Sequence, residues 1–134
     1  MTDALRSTTP ILLVEDDRVA AEIFSHILKT AGFDVRIAGD AETGLEMAAR
    51  ERPSAILLDL RLPTIDGLEF LRRLRAMATM AGLPVALVTG DYFAEERIVH
   101  EVEALGARVR FKPLWEEDLL RLVEEMLGGP STAA

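Results

Sequence analysis

Short apolar runs alternate with longer amphipathic segments along almost the whole of this 134-residue chain. The run at residues 55–58, Ala-Ile-Leu-Leu, has no polar position and is therefore suited to a strand that is buried on both faces. The segments between the runs carry apolar residues three and four positions apart, which is the period of a helix with one buried face. Five such units follow one another, and this order predicts a parallel sheet with helices on both faces.

The predicted elements fill the middle of the chain and leave short tails at its two ends. The predicted strands are residues 11–14, 34–38, 55–59, 85–89 and 109–111. Predicted helices cover about residues 18–31, 95–105 and 116–127, and two more lie between the second and third strands and between the third and fourth strands. One domain is expected over residues 10–128, with an N-terminal tail at 1–9 and a Gly-Gly-Pro-containing tail or linker remnant at 129–134.

Composition excludes several classes of protein. Hydrophobic residues make up 49% of the chain, which is enough for a folded core. The net charge of −8 repels nucleic-acid phosphates and anionic membranes, so neither is an expected partner. Without cysteine there is no disulfide, thiol nucleophile or cysteine-bound zinc, and no apolar stretch has the length of a signal peptide or a membrane span. We therefore expect a soluble, cytoplasmic protein.

Polar residues stand where the predicted strands end. Asp16 and Asp17 follow the first strand, Asp59 ends the third, Thr89 ends the fourth and Lys112 follows the fifth. Right-handed crossovers bring these strand ends to one edge of the sheet, where open α/β folds bind their ligands. Carboxylates brought together there favour a hard cation such as Mg²⁺, while the hydroxyl and the ammonium suit phosphoryl oxygens. The pattern therefore predicts a phosphoryl site.

In their order and spacing, these residues resemble the receiver domain of two-component response regulators, over about residues 10–128. The matching motifs are Asp16-Asp17, Asp59 within Leu-Leu-Asp-Leu-Arg-Leu-Pro, Asp66-Gly67, Thr89-Gly90 and Lys112-Pro113. The resemblance implies a flavodoxin-like α/β fold whose five parallel strands have the order 2-1-3-4-5.

The same resemblance implies a signalling function. Asp59 would accept a phosphoryl group from the phosphohistidine of a partner histidine kinase or histidine phosphotransferase. Mg²⁺ would be held by Asp17, Asp59 and the carbonyl of Arg61, with Asp16 supporting the ion through water. Such a domain is not a turnover enzyme; it acts through protein–protein contacts, as a monomer or as a phosphorylation-dependent homodimer.

Beyond the phosphoacceptor, the resemblance implies that the side chains of Thr89 and Lys112 shift toward the phosphoryl group on Asp59. It also implies that the Lys112-Pro113 bond is cis. The chain departs from the family at Val109, where an aromatic residue is usual. Phe111 shares a strand face with Val109 and is a candidate substitute. Other aromatic residues near the last two loops either report the phosphorylation state or simply pack; they are Tyr92, Phe93 and Trp115.

Other functions fit the sequence less well. Phosphatases with an aspartate nucleophile commonly have a second Asp two residues later, where this chain has Arg61. A flavodoxin-like small-molecule binder would be expected to carry a glycine-rich phosphate loop, which is not found. A metal-free scaffold conflicts with the complete set of site residues. His26 and His100 lack metal-ligand spacing and are interpreted as surface or packing residues. A phosphorelay shuttle, or a receiver excised from a larger response regulator, stays an alternative.

Overall fold

The five predicted strands form one parallel sheet in the computed structural model, which describes residues 9–90 and 96–128. The strands are β1 (Ile11–Val14), β2 (Val35–Ala38), β3 (Ala55–Leu58), β4 (Val85–Thr89) and β5 (Arg108–Phe111). They lie in the order β2-β1-β3-β4-β5, and all neighbouring pairs are parallel. The predicted fold class and strand order are confirmed.

Five α-helices connect the strands or follow the last one. They are α1 (Arg18–Thr30), α2 (Ala41–Glu51), α3 (Gly67–Ala76), α4 (Glu96–Ala104) and α5 (Glu116–Met126), and a 3₁₀ turn covers Ala78–Met80. Aspartates begin the first three helices, because their side chains accept backbone N–H groups that the first turn leaves without partners. These capping residues are Asp17, Asp40 and Asp66.

Most predicted boundaries agree with the structure to within one or two residues. The main difference that bears on function is at β3, which ends at Leu58 and leaves Asp59 as the first residue beyond the strand. The predicted tails lie outside the described residues, apart from Thr9, so their extent stays a prediction. Within residues 9–90 and 96–128, no helix has the length and apolar character needed to cross a membrane.

The sheet separates two apolar cores, because successive side chains of a strand point to opposite faces. One core packs the sheet against α1 and α5, and its buried residues include Leu13, Leu57, Leu28, Leu119 and Val123. The other packs it against α2, α3 and α4, and its buried residues include Val14, Leu58, Phe70, Leu71 and Leu74. Central strands β1 and β3 are buried along their whole length, which holds their carboxyl ends in place.

A partly buried arginine ties α3 to the turns that precede β4 and β5. The Arg75 guanidinium donates hydrogen bonds to the carbonyl oxygens of Leu105 at 2.7 Å, Met80 at 3.0 Å and Leu83 at 2.7 Å. Among residues 9–90 and 96–128, no carboxylate forms an ion pair with Arg75, and burial lowers the pKa of its guanidinium. The side chain therefore works as a hydrogen-bond clamp between segments that are distant in sequence.

Arg75→Met is expected to lower the free energy of unfolding by about 2–3 kcal/mol, because it removes these hydrogen bonds and leaves their carbonyls with fewer partners. Arg73→Met is the matched control, since Arg73 makes an exposed ion pair with Glu69 whose loss is expected to cost much less. Urea denaturation of both variants measures the difference. Equal losses would show that Arg75 is no more than another surface arginine.

Candidate functional site

The site is built by backbone hydrogen bonds that continue past the ends of the strands. Val14 and Leu58 are register partners in β1 and β3, and the Asp59 N–H donates to the Val14 carbonyl at 3.1 Å. At the other side, the Lys112 N–H donates to the Thr89 carbonyl at 2.8 Å. The residues that follow β1, β3 and β5 are thereby aligned along one edge, as the sequence predicts.

Three carboxylates meet at this edge. Oxygen atoms of Glu15, Asp16 and Asp59 all lie within 4.8 Å of one another. Glu15 is only 5% exposed and Asp59 8%, whereas Asp16 is exposed. Lys112 partly balances this charge, because its Nζ donates to Glu15 Oε1 at 2.8 Å. The edge therefore has two buried acidic groups, one solvent-facing acidic group and one ammonium.

Asp17 does not join this cluster, which departs from the sequence-based expectation. It is the N-cap of α1, and its Oδ1 accepts hydrogen bonds from the N–H groups of Val19 at 3.0 Å and Ala20 at 3.3 Å. The residue that sequence reasoning missed is Glu15, which follows β1 directly. The available signal was the aspartate immediately before the helical segment: a capping assignment for Asp17 leaves Glu15-Asp16 as the acidic pair.

Electrostatics set Asp59 apart from the other carboxylates. Burial, followed by the negative charge of Glu15, raises the pKa of Asp59 from an ordinary 3.8 to about 6. The charge of Lys112 and hydrogen bonds from the backbone of Arg61 and Leu60 offset part of this rise. Asp59 is thus mainly ionised at pH 7, although its charge is only partly compensated. A divalent cation would lower this cost, so the donor set fits Mg²⁺.

Lys112 keeps its positive charge in this setting. Burial disfavours the ammonium, but the hydrogen bond to Glu15 and the charge of Asp59 outweigh it, and the pKa of Lys112 is raised. Its peptide bond to Pro113 is cis. Thr89 is buried at the end of β4, and its register partner in β5 is Phe111.

The loop after Asp59 is held by close packing of the backbone. The Gly67 N–H donates to the Leu60 carbonyl at 2.8 Å, and a Cβ atom on Gly67 would lie 2.5 Å from the Asp59 carbonyl oxygen. Only glycine fits this approach. Arg61, whose carbonyl is an expected cation ligand, lies on the exposed part of this loop.

The aromatic and histidine residues have different placements. Val109 is partly buried and packs against the core on the α2, α3 and α4 side of the sheet, while Phe111 is exposed. Trp115 is 70% exposed, which argues against an ordinary packing role. Tyr92 and Phe93 lie outside the described residues.

Both histidines of the chain are exposed and stand apart from the carboxylate cluster; they are His26 and His100.

Comparison with known proteins identifies the family. Residues 11–124 match the response regulator receiver domain. The chain belongs to this family. Response regulator MprA of Mycobacterium leprae is 37% identical over 117 residues, which cover 87% of this chain and 50% of MprA. The probable transcriptional regulatory protein TcrX of Mycobacterium tuberculosis is 39% identical over 84% of this chain and 47% of TcrX. The receiver chain thus spans about half the length of the curated relatives it matches.

Solved receiver structures agree with the fold. A CheY-like receiver domain protein from Methanospirillum hungatei has a TM-score of 0.83 and 30% identity, over 91% of this chain and 95% of that chain. The receiver domain of sensor histidine kinase PA1611 from Pseudomonas aeruginosa has a TM-score of 0.81 and 28% identity, over 92% and 100% of the two chains. That structure has magnesium coordinated in its active-site cleft. The chain is a phosphoacceptor signalling domain of the two-component type.

Asp59→Asn is expected to raise the free energy of unfolding at pH 7 by about 1–2 kcal/mol, less than the full pKa shift would give because solvent reaches the site. Since folding raises the pKa of Asp59, its contribution favours the folded state below about pH 4 and is lost as the pH rises through about 6. Denaturation curves from pH 4 to 8 without Mg²⁺ measure this.

The control is Asp40→Asn, which removes an acidic cap from the same edge. Hydrogen bonds from Thr43 lower the pKa of Asp40, so its contribution is present at neutral pH and is lost as the pH falls. We therefore expect this variant to lose stability at pH 7. A loss of stability in Asp59→Asn as well would contradict the conclusion that the charge of Asp59 destabilises the folded state at pH 7.

Proposed function

We propose that Asp59 is the phosphoacceptor and takes its phosphoryl group from a phosphohistidine of a partner histidine kinase or histidine phosphotransferase. The observation that carries this proposal is a buried, mainly ionised carboxylate at the end of β3, with an ammonium and two further carboxylates beside it. An Asp59 oxygen attacks phosphorus, a P–O bond forms and the P–N bond breaks. The imidazole nitrogen keeps the electron pair and takes a proton.

The other residues position the reacting atoms and balance charge. Asp16, Asp59 and the Arg61 carbonyl would hold Mg²⁺, and the Asp17 side chain stays with the helix that it caps. When bound, Mg²⁺ supplies positive charge that offsets the carboxylates and the transferring oxygens. Lys112 adds a compact positive charge for one phosphoryl oxygen, and the Thr89 hydroxyl donates to another.

Incubation with Mg²⁺ and acetyl phosphate is expected to add one phosphoryl group to the wild type and none to Asp59→Asn, as measured by intact mass. Asp40→Asn should be labelled like the wild type, because its carboxylate is engaged with the N-terminus of α2. A phosphoryl group on Asp59→Asn, or none on the wild type, would contradict the assignment.

An apolar groove beside the site supports a protein donor. The groove has a volume of about 370 Å³ and is lined by residues of α1 and of the loop before α5, including Ile23, Phe24, Pro113 and Trp115, with Lys112 next to the phosphoryl site. Ile23 and Trp115 are both largely exposed. Exposed apolar side chains next to a reactive group are typical of a docking surface. We place the phosphohistidine protein there, with its reactive histidine toward Asp59.

Trp115→Ala and Ile23→Glu are expected to slow phosphotransfer from a protein donor by about tenfold or more, because each removes part of the docking surface. Phosphorylation by acetyl phosphate, which needs no such surface, should stay within about twofold of wild type. A panel of phosphorylated kinases and phosphotransferases supplies the donors, and Ile37→Ser changes an exposed apolar residue outside the groove. Equal slowing with both kinds of donor would contradict the docking role.

The phosphorylated state would act through protein–protein contact in the cytoplasm, where ATP charges the histidine of a kinase, as a monomer or as a homodimer formed on phosphorylation. A phosphorelay shuttle and a receiver working inside a longer regulator use the same chemistry at Asp59. They differ in the molecule that receives the signal. The relatives, which are about twice as long, include a protein named as a probable transcriptional regulator.

A further inference from the structure

Glu15 is pinned between two donors. Its Oε1 accepts from Lys112 Nζ at 2.8 Å, and its Oε2 accepts from the backbone N–H of Asp17 at 3.2 Å. The side chain is 5% exposed, so neither contact is easily exchanged for water. Both oxygens of this carboxylate therefore accept hydrogen bonds from the protein, unlike those of a carboxylate that is free to bind a cation.

Lys112 makes its ion pair with Glu15 and not with the phosphoacceptor. Across residues 9–90 and 96–128, no direct ion pair joins the Lys112 ammonium to Asp59. The distinction matters because a lysine paired with Asp59 would cover an oxygen that must bind a cation or attack phosphorus. In this chain, the negative charge of Asp59 is left only partly compensated.

We propose that Glu15 is a positioning residue for Lys112. Its carboxylate holds the ammonium to one side of the unphosphorylated site, so that the oxygens of Asp59 stay open to the cation and to the phosphoryl donor. This inference rests on the proposed function of Asp59. The phosphoryl oxygens formed on Asp59 then offer Lys112 a second anionic partner, and the ammonium is already placed at the edge where they appear.

The competing account treats Glu15 as one more acidic group that attracts the cation. The two accounts differ in how Glu15 depends on Lys112. If Glu15 only attracts Mg²⁺, the Lys112 ammonium partly neutralises the Glu15 charge. Loss of Glu15 then lowers Mg²⁺ affinity less when Lys112 is present than when it is absent. If Glu15 restrains Lys112, loss of Glu15 frees the ammonium to compete with Mg²⁺ for Asp59, and the cost is larger with Lys112 present.

A double-mutant cycle on Mg²⁺ affinity separates these accounts. The proteins are the wild type, Glu15→Gln, Lys112→Met and the double variant, and calorimetry gives the Kd for Mg²⁺ at pH 7.5. We expect Glu15→Gln to weaken binding by about tenfold in the presence of Lys112 and by about threefold or less in the Lys112→Met background. Equal factors, or a larger factor without Lys112, would overturn the positioning role.

Two controls test whether a general charge effect or a loss of folding accounts for the change in Kd. Glu125→Gln removes the same charge from an exposed position in the last turn of α5 and should change the Kd by less than about twofold. Lys112→Met leaves Glu15 buried without its cation, so thermal melting must first show a cooperative transition; Lys112→Gln, which keeps a donor for Glu15, replaces it otherwise.

Failure of this inference is distinguishable from failure of the proposed function. A wild type that binds no Mg²⁺ and gains no phosphoryl group from acetyl phosphate would overturn both. A wild type that binds Mg²⁺ and is labelled, with a cycle of zero or opposite sign, would leave Asp59 as the phosphoacceptor and remove the positioning role of Glu15.

Discussion

Hydrogen bonding between β1 and β3 is the constraint on which the site depends. Val14 and Leu58 are register partners in two fully buried strands. The residues that follow these two strands therefore lie side by side. Those residues are Glu15 and Asp59, so the fold brings two buried carboxylates together whatever their mutual repulsion costs. The apolar cores on both faces of the sheet hold this arrangement, and the site inherits their rigidity.

The repulsion between the carboxylates is relieved unevenly, so that each carboxylate has a different electrostatic environment. Glu15 pairs with the ammonium of Lys112, the residue after β5, whereas Asp59 has a pKa of about 6. Asp16 faces solvent and can lose or gain water at little cost. A buried charge without a full partner is unfavourable for folding but is suited to binding a cation and to attacking phosphorus.

Much of this molecule was predictable because strand and helix periods are properties of local sequence. The five strands, their helices and the edge that carries Asp59, Thr89 and Lys112 follow from those periods and from right-handed crossovers. The acidic run at 15–17 was harder, since three acidic residues in a row offer two possible pairs and both fit the spacing. The decision is made by the first turn of α1, which takes the side chain of Asp17 as its cap.

Features that depend on distant segments were outside the reach of local patterns. The carbonyls bound by Arg75 belong to turns that become neighbours only in the folded chain, so no spacing in the sequence predicts these hydrogen bonds. The aromatic residue of β5 could be read from the sequence, but its partners across the sheet could not. An aromatic ring at position 109 would be the register partner of Leu87, but in this chain the ring is at Phe111, directly beside Thr89. Val109 fills the partly buried position instead, and Phe111 is exposed to solvent. Thr89 and Phe111 are therefore neighbours across the sheet, with Thr89 buried and Phe111 exposed.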